Sequence, residues 1–275
     1  IILISVVLNI YQTIFKHPNM TIVDSELIHI NQGNSPKTSG ILPIIMCTWQ
    51  REEGFQSVVE QLNIQDFQDF HLFVWNNNPE KNEFFESTLR EKSKFNATIY
   101  NSKKNIGGFG RFYLARHLQR EKFKGFCVFI DDDQTFGKDS LSIFIKEANK
   151  REISSQWAWK LRSLEYYGAD NRINVNGGET VDYCGTGGMV CDLDIFKEDA
   201  LFECPQKYWF IEDLWLSFYA NHYKGYILRK SSANFINGSD EHNLFDKVKH
   251  LKSPMVKDLV ENYGWKITYN KNKIK

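Results

Sequence analysis

The chain has 275 residues, 34 basic and 34 acidic side chains, 42% hydrophobic residues and 15% aromatic ones. It is long enough for one large α/β domain or two small ones and apolar enough for a sizeable core, which excludes disordered, collagen-like and disulfide-scaffold classes. A formal charge of zero excludes the broad basic footprint of a nucleic-acid binder, so an anionic ligand must be held by a local site.

Residues 1–15 (IILISVVLNIYQTIF) are uncharged and are followed by Lys16 and His17. The stretch is shorter than the roughly 20 apolar residues of a membrane span and reads as a signal-anchor remnant over 1–17. An apolar helix packed on the domain and a cleaved signal peptide are the other readings. An anchor would make the protein membrane-associated, with its folded part lumenal in the ER or Golgi; a cytoplasmic location is the alternative. Residues 18–40, ending in NQGNSPKTSG, read as a linker or stem. Sequons at Asn19, Asn96 and Asn237 suit a lumenal domain, although an Asn-rich chain also produces them by chance. The cysteines show no zinc-like spacing; Cys47 and Cys127 read as buried thiols, and two of Cys184, Cys191 and Cys204 can pair in an oxidising compartment.

From residue 41 onward, apolar runs alternate with amphipathic ones. The pattern predicts a strand at 41–48 (ILPIIMCT), a helix at 55–63, a strand at 70–75 (FHLFVW), a helix at 82–92, a short strand at 97–100, a helix at 109–119 and a strand at 125–130 (GFCVFI). Such alternation implies a mostly parallel sheet flanked by helices, with ligands at the carboxyl ends of the strands. The second half is less regular, with helices at 140–150, 211–223 and 245–262 and strand pieces at 157–161, 181–184, 188–191 and 226–229. One continuous α/β domain over 41–275 is expected. Its 41–139 half is Rossmann-like and nucleotide-binding, and its mixed 140–275 half completes the pocket.

Asp131, Asp132 and Asp133 follow directly on GFCVFI. Three adjacent carboxylates repel one another unless a cation or ligand compensates, and in an extended segment Asp131 and Asp133 share a face. A hard divalent ion, Mn2+ or Mg2+, bridging two phosphates suits that arrangement; a solvated acidic turn is the alternative. Asn105-Ile-Gly-Gly-Phe-Gly-Arg111 is a glycine-rich turn opening a helix, where Gly107 and Gly108 permit close backbone approach and Arg111 reaches a phosphate. It is not GxGxxG and follows the third strand, which disfavours a dinucleotide-binding dehydrogenase. Thr48-Trp49-Gln50-Arg51 and Asn76-Asn77-Asn78 end the first two strands as polar loops suited to a nucleoside, although asparagine clusters are commonly plain turns. Glu212 and Asp213 open a helix, either complementing its dipole or supplying a general base for an acceptor hydroxyl. Gly187 and Gly188, in GTGGM, and the neighbouring Trp209 and Trp215 are placed on the acceptor side. His242, in SDEHN, is a candidate third metal ligand beside Asp133.

In this order, TWQRE, NNNPE, NIGGFGR, FIDDDQ, GTGGM and IEDLW resemble the family 2 type of glycosyltransferase with the GT-A fold. The resemblance implies transfer of a sugar from a nucleotide diphosphate sugar, most often UDP-linked, to a hydroxyl of a glycan or glycoconjugate, with inversion. It implies donor contacts at Thr48, Trp49, Arg51, Asn76, Asn77, Asn105, Gly107, Gly108, Arg111, Asp131 and Asp132. It further implies a DxD-type metal site of Asp131, Asp133 and His242, and Asp213 as base with Glu212 beside it. A catalytically silent sugar- or nucleotide-binding module and a sugar-phosphate nucleotidyltransferase are the alternatives, the latter weakened because TWQREEGF is not a glycine-rich basic loop.

Overall fold

The computed structural model describes residues 25–30, 40–168, 170–237 and 244–269. The proposed anchor, residues 18–24 and 31–39 of the stem, and His242 lie outside these residues. The chain runs through β1 (Ser25–Ile30), β2 (Leu42–Thr48), α1 (Glu52–Leu62), β3 (Phe70–Asn76), α2 (Asn82–Lys92), β4 (Asn96–Ser102), α3 (Gly110–Arg120), β5 (Phe126–Asp131) and β6 (Gln134–Phe136). It continues through α4 (Ser140–Glu147), β7 (Glu152–Ser155), β8 (Ala158–Leu161), β9 (Arg172–Ile173), β10 (Tyr183–Cys184) and β11 (Met189–Asp192). Then come α5 (Glu212–Phe218), β12 (Ile227–Lys230), β13 (Phe235–Asn237) and α6 (Leu244–Glu261).

Eight strands form one sheet in the order β1-β4-β3-β2-β5-β11-β7-β12. The β4-β3-β2-β5 core is parallel. β11 runs antiparallel between β5 and β7, and β12 is parallel to β7. This is the expected α/β architecture, a mostly parallel helix-flanked sheet with a mixed second half. Strands of both halves share one sheet. Ser25–Ile30, within the stretch read as linker, adds antiparallel to β4 and covers its otherwise open edge.

Strand alternation sorts the core into two layers. On one face Ile44, Met46, Leu72, Val74, Val128 and Ile130 meet α1, α2 and α4. On the other, Ile45, Phe73, Cys127 and Phe129 meet α3 and the second half. α1 buries Phe55, Val58, Val59 and Leu62, the one-sided stripe of an amphipathic helix. The stripe of α3 comprises Leu114, Ala115 and Leu118, and Arg111 stands at its head, buried like the rest. A guanidinium in a core-facing position needs partners to compensate its burial.

Other sequence expectations shift. The 211–223 helix is one α-helical piece, Glu212–Phe218, entered through a 3₁₀ turn and left through a π turn. β7 (EISS) escapes a pattern search because four residues with a single isoleucine carry no periodicity. All five cysteines are free and buried, so no disulfide forms among Cys184, Cys191 and Cys204.

The order of the sheet fixes where a ligand binds. The chain steps outward from β2 to β3 to β4 and then returns to place β5 on the other side of β2. The loops after β2 and β5 therefore border a crevice at a topological switch point. Gly54, in the first turn of α1, lets that helix close on the loop after β5: a Cβ there would stand 2.2 Å from the Asp132 carbonyl oxygen. Helix propensity alone would make Gly54→Ala stabilising by about 1 kcal/mol. The contact with backbone reverses the sign, and urea denaturation should show a loss of about 1–3 kcal/mol.

Candidate active site

A cavity of about 680 Å³ occupies the switch point. Thr48, Trp49, Gln50 and Arg51 after β2, Asn105 to Arg111 at the head of α3, and Asp131 to Asp133 after β5 form one end. Trp157, Trp159, Tyr166, Arg172 and Tyr183, with Lys252 from α6, form the other. Glu212 and Asp213 stand between them.

At the first end two arginines bind the acidic triad. Arg51 Nη1 lies 2.9 Å from Asp132 Oδ1 and its Nη2 lies 3.3 Å from Asp133 Oδ2. Arg111 Nη1 lies 2.8 Å from Asp131 Oδ1, and its Nε lies 3.4 Å from Glu212 Oε1 and donates to the Gly108 carbonyl at 3.2 Å. Burial pushes the Asp132 carboxyl up, with Arg51 opposing the shift. Burial likewise raises Glu212 to about 7, opposed by Arg111 and reinforced by the Asp213 charge. Thr186 donates its hydroxyl to Glu212 at 3.3 Å.

Glycines make this proximity possible. A Cβ on Gly108 would stand 2.0 Å from Glu212 Oε1, and one on Gly187 would stand 2.4 Å from Asp131 Oδ2. Gly107 has φ of +64°, a backbone conformation that glycine adopts without strain. Asn77 locks the turn: its Oδ1 accepts from Trp75 Nε1 and from the Ile106 backbone, and its Nδ2 donates to the Gly107 carbonyl, all at 3.1 Å.

At the second end Asp213 Oδ2 accepts from the Tyr183 hydroxyl and from Lys252 Nζ at 3.0 Å, and Lys252 also donates to the Tyr183 hydroxyl at 3.0 Å. Asp213 Oδ1 accepts the Leu214 N–H at 2.8 Å, which leaves that oxygen a further lone pair. Lys252 is only 6% exposed. Burial would lower its pKa, but the Asp213 carboxylate and the tyrosines more than offset this, so the ammonium is raised and stays charged.

The structure therefore gathers Thr48, Trp49, Arg51, Asn77, Asn105, Gly107, Gly108, Arg111, Asp131, Asp132, Asp133, Gly187, Glu212 and Asp213 around one cavity. It corrects four placements. Asn76 is fully buried and donates to the Asn78 carbonyl and to the side-chain oxygens of Asn82 and Asn101, because neighbours at a strand end face opposite ways. Trp209 and Trp215 are core residues whose indoles donate to the Cys204 and Leu201 carbonyls. Gly188 backs onto the Phe235 ring, away from the cavity. The aromatic wall is built instead from Trp157, Trp159, Tyr166 and Tyr183, which sequence reasoning missed together with Lys252 and Arg172.

Among the described residues no three His, Cys, Asp or Glu side chains converge as a metal cage. Asp131 and Asp133 keep side-chain exposures of 32% and 18% toward the cavity. With Asp132 and Glu212 they set four carboxylates against two guanidinium groups. That local excess of acid and the hard oxygen donors suit an ion such as Mg2+, which takes one or two protein carboxylates and completes its shell with phosphates and water.

No family model matches the chain, and no curated protein matches it. Among solved structures, S. aureus TarS is 16% identical over 80% of this chain and 40% of its own, with a TM-score of 0.47. TarS 1–349 in complex with UDP is 16% identical over 79% of this chain and 65% of its own, with a TM-score of 0.48. TarS 1–349 alone gives 17%, 79%, 65% and 0.47. The chain thus spans less than two thirds of each of them, and nothing about ligand or activity transfers at that distance. No described helix is long and apolar enough to cross a membrane.

Two expectations follow from the electrostatics. Glu212 titrates near 7 when folded against an ordinary 4.5, so the folded state holds a proton across that window that the unfolded chain releases. Its contribution to stability falls as pH rises through the window. Glu212→Gln should therefore gain Tm relative to the parent progressively between those two values, whereas a pH-independent difference would refute the buried-carboxyl assignment. Lys252→Met leaves Asp213 facing Tyr183 without its cation and should cost about 3 kcal/mol in chemical denaturation. Adding Asp213→Asn should recover part of that loss, giving a non-additive double-mutant cycle.

Proposed function

We propose that the chain is a nucleotide-sugar glycosyltransferase that passes a sugar to an acceptor hydroxyl in a single inverting displacement. The observation that carries this reading is the division of the Glu212-Asp213 pair. Glu212 faces the arginines and acids at the switch point, and Asp213 faces the aromatic wall, so two unlike substrates meet across one helix start.

In this reading the nucleoside lies over the loop after β2, against Thr48 and Trp49, with Asn105 beside it. The donor is a nucleotide diphosphate sugar, UDP-linked in the family the sequence resembles. Arg51 and Arg111, held in place by the acidic triad, face the diphosphate. A divalent ion, Mn2+ or Mg2+, would be held by Asp131 and Asp133 and would neutralise charge on the departing diphosphate. His242 remains a proposed further ligand.

Asp213 supplies the base. Its free Oδ1 lone pair accepts the proton of the acceptor hydroxyl as that oxygen bonds to the anomeric carbon. The bond from that carbon to the phosphate oxygen breaks, and its electron pair leaves with the diphosphate. Tyr183 and Lys252 fix the carboxylate through Oδ2. Attack and departure on opposite faces give inversion. Glu212 holds Arg111 toward the leaving group.

Asp213→Asn should abolish transfer, with kcat down by about two to four orders of magnitude, while UDP binding by calorimetry stays within twofold. Unchanged turnover would sink the assignment. Asp133→Ala should remove the metal-dependent part of UDP binding, measured with and without Mn2+. Hydrolysis of a nucleotide sugar without added acceptor separates a transferase from a silent binding module.

A further inference from the structure

Arg172 opens β9 in the wall of the cavity, on the Asp213 side. Its guanidinium carbon lies 5.1 Å from the Trp159 ring centre, 4.9 Å from that of Tyr166 and 5.3 Å from that of Tyr167. The Tyr166 and Tyr167 rings are inclined at 73° to each other, so the guanidinium cannot lie flat on both, and contact with rings gives its five N–H donors no oxygen acceptor. Among the described residues Arg172 forms no ion pair with a carboxylate and donates no hydrogen bond. Every other arginine lining this cavity is committed to acids: Arg51 to Asp132 and Asp133, Arg111 to Asp131 and Glu212.

A second donor stands in the same wall. Trp157 stands just before β8 and lines the same cavity as Trp159. Its indole Nε1 is buried and has no hydrogen-bond partner among the described residues. A buried donor left unpaired costs about 1–3 kcal/mol, so an oxygen acceptor is expected opposite it. Lys252 stands at 4.9 Å from the same Tyr166 ring, but Asp213 neutralises it. What remains at this end of the cavity is a pre-oriented guanidinium and an indole N–H, both seeking oxygen.

We infer that the acceptor bears an oxyanion, a carboxylate or a phosphate ester, which Arg172 grips with two parallel N–H donors while Trp157 Nε1 donates to an acceptor oxygen. The inference rests on the glycosyltransferase reading and deepens it, making Arg172 the residue that selects the acceptor class. Cation–π contact and a bidentate oxyanion bond are compatible on one guanidinium, since they use its face and its edge.

The test is calorimetric titration of the full chain with saturating UDP present, so that small anions do not enter the donor end. The probes are methyl β-glucuronide, glycerol 3-phosphate and neutral methyl β-glucoside. At least one anionic probe should bind tenfold or more tightly than the glucoside. Preference for the glucuronide alone identifies a carboxylate acceptor, and preference for the phosphate alone identifies a phosphate ester. Arg172→Gln should erase the preference while UDP affinity is kept. If that variant fails to fold, Arg172→Lys decides: a point ammonium lacks the fork, so most of the preference should still go. Equal binding of all three probes, or a preference that survives both substitutions, overturns the inference while leaving the donor-site reading intact. An anion preference without any UDP binding has the opposite meaning, keeping the Arg172 site and removing the glycosyltransferase reading.

Discussion

Arg111 is a guanidinium standing where an α-helix turns its apolar stripe to the core, and much of the site follows from keeping it there. Its charge demands anionic partners, which Asp131 supplies from the first half and Glu212 from the second. Both carboxylates must come close to backbone, so Gly108 and Gly187 have no room for a side chain. Asn77 then fastens the glycine turn to the end of β3. One buried cation thus couples β3, β5, α3 and α5 across the two halves of the chain. Burial raises Glu212 against the pull of Arg111, since the low-dielectric surroundings that strengthen the ion pair penalise the free carboxylate.

The second end obeys the same rule with the signs exchanged. Lys252 comes from the last helix, and its burial is compensated by Asp213 and two tyrosine rings. Docking of α6 and placement of the Asp213 carboxylate are therefore one event. The Tyr166 backbone N–H donates to Ser253 Oγ on the same helix, a further tie between that helix and the aromatic wall. A carboxylate held at Oδ2 by two donors and at Oδ1 by the Leu214 N–H loses rotational freedom.

The features legible in the sequence were those contiguous along it. The acidic triad, the glycine turn and the Glu212-Asp213 pair each announce themselves within a few residues, and the strand–helix alternation placed the first two at strand ends. What failed was the assumption that sequence neighbours share a site. Trp215 lies two residues past Asp213, which on a helix turns the side chain to the far face, into the core. Asn76 and Asn77 face opposite ways for the corresponding reason in a strand. Lys252 did have a signal: it lies on the stripe of Met255, Val256 and Leu259, where a lysine is out of place, but three further lysines on that helix disguised it as a solvated face. Arg172 had none, because its two-residue strand gains meaning only from rings contributed by β8 and the loop that follows.

The neutral net charge of the chain conceals a separation inside the cavity. One end carries more carboxylate than guanidinium, and the other carries Arg172 beyond what Asp213 and Lys252 cancel between them. An anionic diphosphate brought to the acidic end alone would be repelled, so the proposed reading pairs it there with a divalent cation and places an anionic group of the acceptor at the basic end. The two ends thus favour different binding partners on electrostatic grounds before shape is considered. Salt should weaken the second more than the first, because the half-buried Arg172 is the more open to screening while Arg111 is enclosed.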